Sequence, residues 1–390
     1  MLGIIKRKIW VAILKYIIQC SKCGSVIDFK EWIWRHSCGG TLNIIFENLE
    51  NLDFQKILKK EYRDMRRYEA LLPVCSTYFP EITVGGTPLV KKFLGAKVYM
   101  KMDYLNPSGS FKDRGAYVTV AKIKELGIKE IVEDSSGNAG ISFSLICKVS
   151  GIRANIYVPK KAPTGKKNFL RLLGANVIEV DGPREKVNRE ALKAAEEGKG
   201  VYVGHWWNPF FIEGLKTIAY ELWEQIGGNI DYVFTPVGSG GLFLGVFKGF
   251  LELKEMNMLT NMPKLVAVQA EGYCSLCEKL GLEMEGEKRS KIADGIMIKK
   301  PPRLNEILNA LNVSKGLCAV VSDNETISAL KELINMGFIV EPTSATVYAA
   351  FKKAVREKII DRDDTAVLIL TGSGLKVLNV LNSLIFCSNP

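Results

Sequence analysis

Asn106-Pro107-Ser108-Gly109-Ser110-Phe111-Lys112-Asp113-Arg114-Gly115 places a lysine just past a Gly/Ser turn, at the opening of a helix-like run from Lys112 to Leu126. A loop-to-helix junction suits a lysine that must point into a cleft and not into water. Its chemical use there would be that of an amine nucleophile forming a Schiff base with a carbonyl cofactor. The plain alternative is a solvated lysine, one of the 53 lysine and arginine residues of the chain. The surrounding sequence has to decide between them.

On the C-terminal side, short β-rich runs alternate with helical ones. Strands are expected at Ile131–Glu133, Ala154–Val158, Asn176–Val180 and Val201–Val203, with helices at Ala139–Val149, Lys166–Leu173 and Glu185–Glu197 between them. A second series follows at Tyr232–Thr235, Leu265–Gln269, Leu317–Ser322 and Ala366–Leu370. This alternation predicts an α/β fold of two open, mostly parallel sheets flanked by helices, with the active site in the cleft between them. Ligands of such sheets sit at the carboxyl ends of strands, so glycine loops are expected there.

Three such loops are present. Pro236-Val237-Gly238-Ser239-Gly240-Gly241-Leu242 follows a strand and opens a helix, so its backbone N–H groups can converge on an anion. It lacks the Lys-Ser/Thr ending of a nucleotide P-loop and the dinucleotide fingerprint, which leaves a phosphomonoester as the better fit. Ser135-Ser136-Gly137-Asn138-Ala139-Gly140 offers hydroxyls, backbone donors and an amide at a helix start, suited to a carboxylate; a plain N-cap is the alternative. Thr371-Gly372-Ser373-Gly374-Leu375-Lys376 is a third polar loop, with a turn plus cap as its alternative. Together with Lys112, these are the parts needed to hold pyridoxal phosphate and an amino acid.

The motifs Asn-Pro-x-Gly-Ser-Phe-Lys-Asp-Arg-Gly, Ser-Ser-Gly-Asn, Gly-x-Gly-Gly, Glu341-Pro342-Thr343-Ser344-Ala345 and Thr-Gly-Ser-Gly-Leu-Lys closely resemble, in the same order, the threonine synthase branch of the fold-type-II (tryptophan synthase β-like) pyridoxal phosphate enzymes. The resemblance covers roughly residues 20–385. It implies that Lys112 carries the cofactor as an aldimine and shuttles the α-proton. It implies that Asn138 bonds the cofactor's 3-oxygen, that Gly238, Ser239, Gly240, Gly241 and Leu242 hold its phosphate, and that Thr371 faces the pyridine nitrogen. Ser135, Ser136 and Gly137 would take the substrate carboxylate, with Ala139 and His205 completing the substrate side. A neutral hydroxyl at the ring nitrogen restrains the electron sink and suits elimination and replacement over transamination. A homodimer is a further implication of the resemblance.

The familiar reaction of the branch converts O-phosphohomoserine and water to threonine and phosphate, and its phosphate pocket is where this sequence departs. Ala139 stands where a threonine is usual. The usual Asn-Ser-x-Asn-Pro-x-Arg reads His205-Trp206-Trp207-Asn208-Pro209-Phe210-Phe211, ahead of an intact Glu213-Gly214-Leu215-Lys216-Thr217. Losing that arginine removes the bidentate partner that phosphate recognition favours. Two readings stay open: a threonine synthase with a rebuilt phosphate pocket, or a paralogue performing β-elimination or β-replacement, such as a serine/threonine dehydratase or a sulfhydrylase. A non-catalytic cofactor-binding regulator is disfavoured, because Lys112 and every cofactor contact are present.

Ahead of this region, Cys20-Ser21-Lys22-Cys23 and His36-Ser37-Cys38 have zinc-ribbon spacing, and a Cys3His site of Cys20, Cys23, His36 and Cys38 is chemically sound. A degenerate ribbon or a redox Cys-x-x-Cys is the alternative. The expected organisation is a lead-in (1–19), a zinc-ribbon-like segment (20–45), a helical connector (46–84) and a pyridoxal phosphate-binding region (85–390) whose smaller sheet spans roughly 110–205.

The apolar run Ile9–Leu14, broken by Lys15, is far short of the ~20 residues a bilayer needs, and no small-residue cleavage site follows it. Nine cysteines, an odd number without a secretory signal, argue for a reducing cytoplasm. The 47% hydrophobic content and 24% charged content describe a soluble globular chain. The net charge of +11 is scattered, with no aromatic-interleaved basic stripe, which argues against nucleic acid; a solvated surface is the most economical explanation, and an anionic cofactor with small anionic substrates the next.

Overall fold

The computed structural model describes residues 14–282 and 288–386; most of the lead-in, with nearly all of its apolar run, lies outside them. Strand β1 (Tyr16–Cys20) already belongs to the ribbon, pairing antiparallel with β2 (Val26–Ile27) and β3 (Leu42–Phe46).

The stretch after β3 was expected to be helical, and only Phe54–Ile57 forms an α-helix. The rest is short turns, because tertiary contacts override helix propensity here. Asp53 and Asp64 are N-caps that accept the backbone N–H groups of Gln55 and Arg66, so each starts a new short turn. Phe54 and Tyr68 seat on Tyr220, and Arg67 and Tyr68 bond Glu224, which only a bent chain reaches.

Two sheets then form, each strand of the expected series lying within a residue or so of its expected bounds. β4 (Leu89–Phe93) and β5 (Lys97–Lys101) are an antiparallel hairpin at one edge of the larger sheet. The smaller sheet holds β6 (Glu130–Glu133), β7 (Arg153–Pro159), β8 (Asn176–Val180) and β9 (Val201–Tyr202), all parallel, in the order β8-β7-β6-β9. The larger contains β10 (Tyr232–Pro236), β11 (Lys264–Ala270), β12 (Leu317–Val321) and β13 (Thr365–Ile369), in the order β12-β11-β10-β13-β5-β4. β10 is buried along its whole length, as a central parallel strand covered on both faces must be.

The opening lysine stretch is stitched to the third glycine loop. Phe111 N–H donates to the Thr371 carbonyl at 3.0 Å, and Ser373 N–H to the Gly109 carbonyl at 2.9 Å. Behind it, Arg114 is wholly buried and bonds Asp103 at 2.7 Å and Glu221 at 2.6 Å, while Lys101 bonds Glu221 at 2.6 Å. Burial alone would raise the Glu221 carboxyl, but Arg114 and Lys101 outweigh it and hold the pKa at about 2.

The helix Lys112–Glu125 lies directly on the helix Pro209–Leu215. Two glycines allow that approach: a Cβ at Gly214 would sit 1.9 Å from the Arg114 carbonyl oxygen, and one at Gly115 would sit 2.5 Å from the Phe211 ring. Cys277 and Cys318 form a disulfide joining the short helix Ser275–Lys279 to β12, which the reading of the cysteines as those of a reducing compartment did not anticipate. Among the described residues no helix is long and apolar enough to cross a membrane.

Candidate active site

Lys112 is the first residue of its helix, and its side chain enters a cavity of about 740 Å³ between the two sheets. The same cavity is lined by Ser135, Ser136, Gly137, Asn138, Ala139, His205, Gly238, Ser239, Gly240, Gly241, Leu242 and Thr371, so every expected cofactor and substrate residue converges there. Among the described residues the Lys112 ammonium has no hydrogen bond or ion pair. It lies 4.7 Å from the Phe111 ring centroid and 5.5 Å from that of Phe211. Burial lowers its pKa to about 8, against the opposing pull of Glu133 and Glu341. Such an amine is readily deprotonated and reactive.

The glycine loop after β10 enters the helix Gly241–Glu255 through Gly240 at φ +90°, a conformation that an L side chain rarely adopts. A Cβ there would also meet Ile307 at 2.3 Å. No side chain caps this helix, nor the helix Asn138–Ser150 that starts at the Ser135–Gly137 loop. Their first N–H groups therefore remain free for ligands, and the plain N-cap alternative does not hold for the Ser135–Gly140 loop; in the third loop the turn-plus-cap alternative does describe Ser373, whose hydroxyl accepts the Leu375 N–H.

Thr371 is fully buried and its hydroxyl lies 2.9 Å from that of Ser344, which also accepts the Thr371 and Gly372 N–H groups. A half-buried free amine, an uncapped glycine nest and a neutral hydroxyl are a donor set that fits pyridoxal phosphate.

Glu341, Lys376, Lys166, Asp294 and Arg184 also line the cavity, although the sequence reading gave none of them a site role. Asn138 donates to Glu341 at 3.0 Å and accepts from Lys376 at 2.6 Å. Lys166 reaches across the cavity mouth to Asp294 at 3.3 Å. Arg184 pairs with Asp134 and lies 5.7 Å from the Trp206 ring centroid. Lys166 and Arg184 lie in the first turns of the helices Thr164–Leu172 and Arg184–Glu196 that follow β7 and β8, on the side where ligands of parallel sheets gather; that place after a strand was the signal available in the sequence, one that an ordinary surface charge shares.

Phe211, at the position of the missing arginine, lies beneath Lys112 and is buried against Gly115 and Phe143. His205 Nδ1 is 2.7 Å from Glu133 Oε1. Burial first, then Lys112 and Arg184, push the His205 pKa well below its usual value. Burial first, then Asp134, raise Glu133 well above the carboxylate range, with Arg184 and Lys112 opposing.

In the ribbon, the ligand atoms of Cys20, Cys23, His36 and Cys38 all lie within 4.8 Å of one another. His36 Nδ1 is 3.0 Å from Cys38 Sγ and 3.4 Å from Cys23 Sγ, and Cys20 Sγ is 3.5 Å from Cys38 Sγ. Tetrahedral zinc with bonds of about 2.0–2.3 Å needs ligand atoms roughly 3.3–3.8 Å apart, so the donor set fits that ion.

The ribbon packs against the substrate side of the site. Trp32 Nε1 donates to the Tyr202 carbonyl at 2.8 Å, Trp34 stacks edge-on to Tyr202 and Trp207, and Phe29 and Trp32 contact Phe210. Arg303 ties the two parts by donating to the Leu42, Trp206 and Trp207 carbonyls.

Residues 81–372 match the family described as pyridoxal-phosphate dependent enzyme. The chain is 35% identical over 380 residues to the threonine synthase of Methanocaldococcus jannaschii, covering 92% of each chain. It is 32% identical over 376 residues to that of Methanosarcina acetivorans, covering 93% of this chain and 92% of the relative. Among solved structures, a fungal L-serine ammonia-lyase from Rhizomucor miehei superposes with a TM-score of 0.66 at 23% identity, over 76% of this chain and 96% of that one, which establishes the shared fold.

Proposed function

We propose that this chain, which belongs to the threonine synthase branch of the pyridoxal-phosphate-dependent enzymes and is a lyase of that kind, eliminates or replaces the side-chain substituent of an α-amino acid, nominally turning O-phosphohomoserine and water into threonine and phosphate. The observation that carries this reading is the unpaired, half-buried Lys112 amine facing two uncapped helix starts across one cavity.

In this reading Lys112 attaches the cofactor, the Gly238–Leu242 loop holds its phosphate, Asn138 faces its phenolic oxygen and Thr371 its ring nitrogen. When bound, pyridoxal phosphate supplies the electron sink that makes the α-proton acidic and lets a substituent depart. Ser135, Ser136 and Gly137 hold the substrate carboxylate and so orient the Cα–H bond toward Lys112, whose amine takes and returns that proton. Phe111, Phe169, Trp206 and Ile141 line the cavity and keep it dry, strengthening each charge interaction inside. Lys166 and Arg184 are the cations at hand for a substrate phosphate in place of the missing arginine.

A second reading, β-elimination from a serine-type amino acid, is favoured by one observation. Lys166 and Arg184 are already committed to Asp294 and Asp134, and a His205–Glu133 pair occupies the substrate side. Purified holoenzyme given O-phosphohomoserine should release phosphate and form threonine under the first reading. Under the second it should form 2-oxo acid from serine or threonine and release no phosphate.

For the ribbon we propose a structural zinc ion held by Cys20, Cys23, His36 and Cys38. His36→Ala is expected to lower the zinc content measured by atomic absorption from about one per chain toward zero and to lower the melting temperature. Unchanged zinc would exclude His36 as a ligand.

A further inference from the structure

We propose that His205, backed by Glu133, is the proton donor to the group that leaves the substrate, and that this group is the β-hydroxyl of a serine- or threonine-type amino acid. The inference rests on the second reading given above and assigns it a catalytic residue and a substrate class.

The geometry comes from the sheet. β6 and β9 are parallel neighbours with Val132 opposite Tyr202, so Glu133 and His205 emerge together at their carboxyl ends. His205 Nδ1 is taken by Glu133, and among the described residues Nε2 has no hydrogen-bond partner. The ring lines the cavity and lies 5.8 Å from the Phe211 centroid, which in turn is 5.5 Å from the Lys112 ammonium. A single aromatic ring thus separates the group that handles the α-proton from the one assigned to the leaving group.

The other charged and titratable groups around the pair are Lys112 and Arg184 from their helices, Asp134 beside Glu133, and Tyr202, which donates to Asp134 at 3.0 Å. The second Glu133 oxygen is buried with no partner, an arrangement costly for a carboxylate and far less so for a carboxylic acid. A protonated Glu133 donates to Nδ1 and thereby fixes the proton of the neutral ring on Nε2, the nitrogen that Glu133 leaves free for a ligand of the cavity that His205 lines.

The step then balances. The Cβ–O bond breaks, its electron pair goes to oxygen, and the Nε2 proton moves to that oxygen to give water. Nδ1 takes the Glu133 proton, leaving a neutral ring and a carboxylate that solvent reprotonates. Hydrolysis of the dehydrated product yields a 2-oxo acid and ammonia.

Charge balance points to the same substrate. Lys166 is paired with Asp294, Arg184 with Asp134, and Lys376 is held beside Glu341 through Asn138. A phosphate dianion would have to draw a cation away from its carboxylate, whereas a hydroxyl needs only a proton. Phosphate leaves without one; hydroxide does not.

The test compares L-serine with β-chloro-L-alanine, whose chloride departs unprotonated, on holoenzyme of the wild type, His205→Asn and Glu133→Gln. On serine, kcat for 2-oxo acid formation should fall by roughly 100-fold or more in His205→Asn, and on β-chloroalanine by about threefold or less, since only the first reaction needs the acid. Glu133→Gln, which keeps a hydrogen bond but lacks the proton, should show the same split.

An equal loss on both substrates would make the pair merely structural and overturn the proposal. Wild-type turnover of O-phosphohomoserine or O-phosphoserine without turnover of serine or threonine would also overturn it while leaving the lyase reading intact. Failure of the wild type on β-chloroalanine and on every amino acid tried would sink both.

Discussion

Lys112→Ala is expected to abolish turnover on every amino-acid substrate, lowering kcat by roughly 10⁴- to 10⁶-fold, the scale seen when an enzyme loses its covalent nucleophile. The visible absorbance of the lysine-bound cofactor should vanish with it. The fold should survive. The ammonium has no ion pair or hydrogen bond among the described residues, and truncating it removes a half-buried charge that nothing pairs. Far-ultraviolet circular dichroism and the melting temperature are therefore expected to stay near wild type. A variant that keeps the visible band would place the attachment on another lysine. One that loses both band and fold would show that Lys112 carries structural weight invisible in its contacts.

The largest effect on stability is expected outside the cleft lining, at Glu221 in the helix Thr217–Ile226. Its two oxygens serve Arg114 and Lys101, both fully buried. Glu221→Gln keeps the shape and removes the charge, leaving Lys101 with no carboxylate and Arg114 with Asp103 alone. Breaking a buried pair in this way costs about 3–5 kcal/mol, a large share of the roughly 5–15 kcal/mol that holds a folded chain together.

The sign with pH follows from the depressed carboxyl. Relative to an unfolded value of 4.5, a folded pKa of about 2 contributes stability at neutral pH that is lost as pH falls from 4.5 through 2. That shift corresponds to roughly 3 kcal/mol. Denaturant midpoints for wild type and variant should accordingly lie far apart at pH 7, draw together as the pH falls below 4.5, and nearly meet at about pH 2. A gap that persists at pH 2 would assign the stabilisation to packing instead of charge.

The parallel strands were readable because each is a short β-rich run that ends in a glycine loop or a helix start. That punctuation locates both sheets and the three loops around Lys112. The irregular connector was not readable, because Phe54, Tyr68 and Arg67 bend to meet residues of the distant helix Thr217–Ile226, and one sequence carries no sign of that helix's position. Nor was the cystine, whose halves lie 41 residues apart.

Within the site, Lys112 and the glycine loops declared themselves by local pattern. Glu133, Lys166 and Arg184 did not, since each looks like an ordinary surface charge until two sheets place it at a strand end. Phe211 was the instructive case. Read alone it is an arginine lost from a pocket, whereas in the fold it is the ring on which Gly115 closes and above which Lys112 stands.

The aromatic seam between Phe29, Trp32, Trp34 and the 202–210 segment bears on where the working unit may be trimmed. The family match begins at residue 81, yet the back of the His205–Trp206 wall is built by residues 29–34 and by Arg303 reaching to Leu42. Cutting the chain at the family boundary would remove the side chains that cover Phe210, Trp207 and the Tyr202 carbonyl, and with them the strut behind the His205–Trp206 wall. The smallest portable version of this enzyme therefore extends back through the ribbon to Tyr16, and grafting the cleft elsewhere means carrying its N-terminal brace along.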